Sequence, residues 1–137
     1  MAQSAQQIIE TLGLQPHPEG GWYAETWRAP TQPRAAGTAI YFLLEEHQIS
    51  QWHRIDSAEI WHWYAGAPME LHSHDLGQTK VQILGSDLAA GQRPQLIVPQ
   101  RAWQKSVPLG GWVLVGCTVS PGFSFDRFEL APEGWSP

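Results

Sequence analysis

Apolar residues return at helical spacing only near the start of this chain, and at every second position over most of the rest. Ile8, Ile9 and Leu12 form one face of a predicted helix, because residues three or four apart lie on the same side. Ser4 with Gln7 three positions later has the form of a capping box, and Gly13 is placed to end the helix. Beyond it the signals are those of strands, predicted over residues 22–28, 38–45, 51–55, 59–64, 69–74, 79–84, 95–99, 112–118 and 123–130. Gly, Pro or short polar runs separate them, and residues 87–90 have room for one helical turn. Within 59–64, alternation puts Glu59, Trp61 and Trp63 on one face and Ile60, His62 and Tyr64 on the other. Rings on both faces predict a strand covered on both sides. Short strands recurring about every ten residues predict an all-β domain, closed or built of two sheets.

Composition narrows the classes. A length of 137 residues suits one domain with its own core, without disulfides or structural metal. The 13 Gly and 11 Pro exclude a helical bundle or coiled coil. Eight Lys and Arg against 13 Asp and Glu leave a net charge of −5. The basic residues are scattered and cannot neutralise a line of phosphates, so no nucleic-acid partner is expected. The longest apolar runs, such as 112–115, are too short for a membrane span, and no secretory signal opens the sequence, so a cytoplasmic location is expected. The lone Cys117 lies in an apolar run and reads as a small buried thiol. Eight Trp stand out in so short a chain, since a buried indole N–H needs a partner and such rings line cores, interfaces and ligand pockets.

Imidazole, carboxylate and indole concentrate in the segment QWHRIDSAEIWHWYAG, residues 51–66. His53 lies near the end of one predicted strand and Glu59 opens the next, with a bend at 56–58. If those strands pair as a hairpin, both side chains face one cavity, where they share a proton or hold a metal. His72 and His74 share a face with Glu70 beside a turn at 75–77, which reads as a solvated hairpin end. His62 points away from Glu59, while His17 and His47 lie in loops and carry no assignment. The loop 16–22, with Gly20-Gly21 after Glu19, is a permissive turn placed to cover a pocket mouth, and it lacks the spacing of a phosphate cradle. Arg28 reads equally well as an anion contact or as half of an ion pair. Trp103 beside Gln104 offers a stacking surface and an amide handle for a small polar ligand. No nucleophile elbow is present.

His53, Glu59 and Gly66 stand at the spacing of the first cupin motif, and Pro99 is followed five residues later by Gln104, where the second motif carries His. Together with the segments HPEGGWYAETWR, VPQRAWQ and GCTVSPGF, the chain resembles the type-5 small cupin domains, a family largely without assigned function. The resemblance runs from His17 to Leu130. It implies a cupin-type β-jelly-roll barrel (a double-stranded β-helix) over 14–137 after a helix at 1–13, with a central pocket, dimeric assembly and kinship to sugar epimerases. Metal-binding members of the superfamily bring together three His and one Glu. Here Gln51 and Gln104 stand where His is expected, and a neutral amide is a poor donor for zinc or iron.

The expectation is therefore a single cupin domain over 1–137, cytoplasmic and homodimeric, that binds a small polar organic ligand without a cofactor. Gln51, His53, Glu59 and Gln104 form its polar centre, with Trp61 and Trp103 as aromatic walls. An alternative is a metal-independent isomerase or epimerase, in which His53 removes a proton beside a carbonyl and Glu59 orients it. A metal-dependent enzyme holding a divalent ion on His53, Glu59 and Gln104 is a further reading, as is a structural dimer without a ligand. Whether the first helix packs on its own barrel or across a dimer is left open.

Overall fold

The structure, a computed structural model, describes residues 3–137, so the first two positions of the predicted helical segment lie outside the described residues. Helix α1 spans Ala5–Leu12. The Ser4 hydroxyl accepts from the Gln7 N–H while the Gln7 side chain accepts from the Ser4 N–H, and Gly13 ends the helix in the left-handed region. Ile8 and Ile9 are buried against Leu43, with Trp22 and Trp112 packed beside them, so the helix lies on the outer face of its own sheet.

Eleven strands follow: β1 (Gln15–Pro16), β2 (Trp22–Arg28), β3 (Thr38–Leu44), β4 (Ser50–Arg54), β5 (Ala58–Gly66), β6 (Met69–Asp75), β7 (Gln78–Leu84), β8 (Gln95–Val98), β9 (Trp103–Pro108), β10 (Val113–Ser120) and β11 (Glu129–Leu130). They make two antiparallel sheets, ordered β1-β2-β3-β10-β5-β8 and β11-β4-β9-β6-β7. The sheets face each other as a jelly roll of two layers, without the continuous strand ladder of a closed barrel. An isolated bridge between Leu84 and Arg93 ties the end of β7 to the chain leading into β8.

The inward positions change character along the strands. At one end Phe42, Leu44, Trp61, Met69, Leu71, Leu84, Val113 and Val115 form an apolar core. Towards the other end the same strands turn Thr38, Ile40, Glu59, Cys117 and Val119 to a cavity. Apolar packing at one end holds the sheets together and leaves the other end open for chemistry.

The predicted strands from 22–28 to 112–118 appear with ends shifted by no more than two residues. Residues 123–130 differ: they form a 3₁₀ turn at Phe125–Arg127 and then the short β11. Strand β9 was not predicted, because its buried positions are Gln104, Ser106 and Pro108, which give no apolar alternation. Strands β4 and β5 are not a hairpin but belong to opposite sheets. The chain crosses between them at Asp56 and Ser57, where Arg34 holds the Asp56 carboxylate with two 2.8 Å hydrogen bonds.

The turn between β1 and β2 is stitched to β4 by the Gln51 N–H, which donates to the Glu19 carbonyl at 2.8 Å. Gly20 has φ 108°, and a Cβ there would collide with the Ile49 carbonyl. Gly20→Ala is expected to cost about 2–4 kcal/mol in urea denaturation, because strain and a backbone clash combine. Gly13→Ala is expected to cost only about 1–2 kcal/mol, since its left-handed φ is strained but nothing lies within 4 Å of the added Cβ.

Candidate functional site

The polar end of the jelly roll encloses a cavity of about 260 Å³. Four of its lining groups carry the chemistry: His17 and Glu19 from the β1–β2 turn, His53 from β4 and Glu59 from β5. Tyr23, Phe123 and Phe125 supply aromatic surface, and Arg28 with Glu25 stands at the more exposed side. The carboxyl nearest His53 is that of Glu19, at 3.4 Å from Nε2.

Hydrogen bonding fixes the state of each imidazole. His53 Nδ1 is 2.7 Å from the Gln51 carbonyl oxygen, which only accepts, so Nδ1 carries the proton. In the neutral ring Nε2 is then a bare lone pair, and 3.4 Å to Glu19 is too long for a strong hydrogen bond. His17 has the opposite tautomer, because its Nδ1 accepts from the Glu19 N–H at 3.1 Å. Burial lowers the pKa of both rings, with Glu59 and the Gln51 carbonyl acting against this at His53. For His17, burial and the neighbouring His53 bring the value to about 4.

Burial works the other way on the carboxyls. Glu19 is raised to about 8, with the hydrogen bond from the Ser50 hydroxyl partly opposing the shift. Glu59 is raised to about 7 by burial, with His53 drawing it down and Glu19 pushing it further up. The close approaches of Glu19 to His17 and His53 are therefore contacts between groups that are mostly neutral at pH 7, not buried ion pairs. Burial also raises the Cys117 thiol well above its ordinary range, with Glu59 adding to the effect, so it is no nucleophile.

Gln104 lies behind Glu59, in the opposite sheet. Its Oε1 accepts from the Trp61 indole N–H at 2.9 Å, and its Nε2 donates to Glu59 Oε1 at 2.8 Å. An indole only donates, so the amide orientation is set and its N–H₂ faces the carboxylate. Gln104 thus offers the site no oxygen to ligate a metal. Gln51 is also turned away. Ser50 pairs with Ser106 and His53 with Gln104, so β4 carries one extra residue against β9. This bulge leaves Gln51 exposed, although simple alternation puts it on the face of His53. Among the described residues, no group of three or more His, Cys, Asp and Glu is arranged to hold a metal ion. The donor set does not fit the three-His-one-Glu pattern.

Of the predicted site residues, the structure brings His53 and Glu59 to the cavity and Gln104 behind them. Trp61 is 1% exposed in the apolar core, edge-on to Phe42. Trp103 lies outside the jelly roll, its ring under the Arg54 guanidinium at 4.5 Å and 4.6 Å from Trp135. Neither indole lines the cavity. Arg28 is clasped by Glu25 with hydrogen bonds of 2.9 and 2.7 Å. His72 and His74 bond Glu70 and Thr79 on the outer side of the second sheet. Sequence reasoning missed Glu19 and His17 as site residues. The usable signal was an acidic residue directly before two glycines, a turn able to bring a side chain inward.

The raised carboxyls have a measurable consequence. A folded state that holds its proton longer than the unfolded chain loses stability as pH rises from about 4.5 towards 8. Glu19→Gln removes that contribution, so the stability of the variant relative to the parent is expected to grow across this window. Urea denaturation at successive pH values measures the difference. The opposite contribution of His17, a loss as pH falls from 6.5 towards 4, is common to both proteins and cancels.

Residues 6–131 match the family model described as Cupin superfamily (DUF985). A protein of Shewanella oneidensis is 40% identical, with a TM-score of 0.91 over 95% of this chain and 85% of its own. A hypothetical protein of Leishmania major is 32% identical, with a TM-score of 0.87 over 94% of this chain and 88% of its own. Oxalate decarboxylase of Bacillus subtilis shares the fold at 15% identity, with a TM-score of 0.68 over 86% of this chain and 30% of its own. No curated protein sequence matches the chain. With the family model spanning nearly its whole length and the jelly roll in place, the chain belongs to the cupin superfamily, in the DUF985 group.

Proposed function

We propose that this cupin binds a small polar organic molecule in the cavity between its sheets, with His53, Glu59 and Glu19 as the recognition groups. One observation carries the reading. A bare imidazole nitrogen and two carboxyls, all in side chains less than a tenth exposed, border a cavity of about 260 Å³. Protein interiors do not keep such groups together without cost, because each is desolvated and only partly satisfied. The volume falls below the range of about 300–1,000 Å³ typical of drug-sized ligands, so the occupant is of single-ring size. A thermal-shift screen of polar metabolites is expected to return a stabilising compound whose effect disappears in His53→Ala. Stabilisation unchanged by that substitution places the ligand elsewhere and ends the proposal.

The tautomer of His53 supports a second reading, proton transfer without a metal. With Nδ1–H held by a backbone carbonyl, Nε2 is a base of fixed direction, as general base catalysis requires. Glu19 and Glu59, raised by burial, supply protonated carboxyls near neutral pH. In an isomerase or epimerase, His53 takes the proton from carbon beside a carbonyl as one carboxyl donates to the developing enolate oxygen, and that proton returns to the carboxylate when carbon takes one back from the His53 imidazolium or from the second carboxyl, which the imidazolium then recharges. Glu19, rather than Glu59, is the nearer carboxyl for this role. Proton NMR in D₂O with a panel of single-ring keto sugars and small keto acids is expected to show enzyme-dependent exchange beside the carbonyl, lost in His53→Ala. A panel without exchange removes this reading and leaves binding intact.

A further inference from the structure

The charge and hydrogen-bonding character of the cavity narrow its ligand. The guanidinium that reaches it, Arg28, is already neutralised by the bidentate Glu25 carboxylate, and its Nη2 also donates to the Phe123 carbonyl. Behind that pair stand a bare imidazole nitrogen and two carboxyls, each of which donates while it keeps its proton and only accepts once it has lost it. His53 Nε2 is a lone pair in a residue 2% exposed. Glu59 uses Oε1 for Gln104, and the Cys117 thiol, a weak donor, also reaches its carboxyl. Glu19 takes one hydrogen bond from Ser50. His17 turns its lone pair to the Glu19 backbone, and the Cys117 thiol stays protonated.

An anion entering this space meets no free cation among the described residues, and only the carboxyl protons offset the water it loses. A ligand with several N–H donors and a positive charge meets the opposite situation. Its donors find the His53 lone pair and the two carboxyls, and its charge is opposed by a carboxylate formed as it arrives. The rings of Tyr23, Phe123 and Phe125 line the same cavity, and aromatic faces favour organic cations.

We infer that the cavity is a site for a small organic cation, a primary ammonium or an amidinium, held between Glu19, Glu59 and the bare nitrogen of His53. This rests on the binding function proposed above and names its ligand class. One positive charge supports one buried carboxylate, so binding drives a proton off the Glu19 and Glu59 pair, and the complex holds fewer protons than the free protein and ligand together.

The test uses the whole chain and compounds of one skeleton and different charge: benzylamine and benzamidine as cations, benzyl alcohol as neutral, benzoate as anion, with manganese chloride as a separate arm. Isothermal titration calorimetry is expected to show the cations binding at least about tenfold more tightly than benzyl alcohol, with no binding of benzoate. Titration in buffers of different ionisation enthalpy is expected to show proton release, and Glu59→Gln to remove the preference for cations. Should that variant not fold, ¹³C NMR of glutamate-labelled parent protein replaces it, since benzylamine must move a buried carboxyl signal towards its ionised position. Equal or tighter binding of benzyl alcohol or benzoate, lost in His53→Ala, overturns the cation assignment while leaving small-molecule binding in place. Saturable manganese binding that depends on Glu59, without any effect of the amines, overturns both. Carboxyl signals unmoved by amine overturn the inference alone.

Discussion

The arrangement of this molecule turns on one side-chain amide that spans its two sheets. Gln104, 1% exposed on β9, accepts from Trp61 and donates to Glu59, both on β5 in the facing sheet. The contact joins the apolar core, where Trp61 is packed, to the cavity that Glu59 lines. It also determines polarity: because the indole must donate, the amide must present its N–H₂ to the carboxylate. With Gln in this place, the site receives a donor aimed at Glu59 where an imidazole ligand stands in metal-binding relatives of the fold.

Burial then sets the chemistry. The same desolvation that lowers the affinity of His53 for a proton raises that of Glu19 and Glu59. Base and acids are brought to opposite ends of their ordinary order, with a neutral imidazole beside carboxyls that keep protons near pH 7. Such inversion is what pairs a general base with a general acid in one small volume. The Ser50 hydroxyl and the Gln51 carbonyl orient Glu19 and His53 and fix the His53 tautomer, while partly opposing the shifts that burial imposes.

Much of this was legible in the order of residues, and the gaps have local physical causes. Alternation marked β2 to β8 and β10, and the Ser4 and Gln7 pair marked the start of the helix, because each element satisfies its own hydrogen bonds and buries one face in a regular period. Strand β9 was invisible to that logic, since what it buries is an amide, a hydroxyl and a Pro. Phe123, Phe125 and Phe128 suggested a strand, but they meet each other edge-on around a 3₁₀ turn, and Phe125 and Phe128 also meet His17, forming an aromatic cap. His53 and Glu59 stood out by residue type and spacing, and both line the cavity, converging on it from opposite sheets and not from a hairpin. Glu19 escaped because its position depends on Gly20 and on a backbone bond to Gln51, a long-range contact without a sequence period.

The bulge in β4 bears on how readily this protein could descend to, or from, a metal-binding form. An imidazole introduced at position 51 would project to solvent, because the extra residue between Ser50 and His53 turns that position outward. The inward neighbour is Ser50, so a His reaching the cavity from this strand must take its place and release Glu19 from its hydroxyl. Recovering the second-motif ligand likewise requires giving up the amide between Trp61 and Glu59. Each step towards a metal dismantles a support of the present cavity before the next ligand exists. The outward turn of position 51, together with the bonds held by Ser50 and Gln104, makes single substitutions a poor route to a metal site.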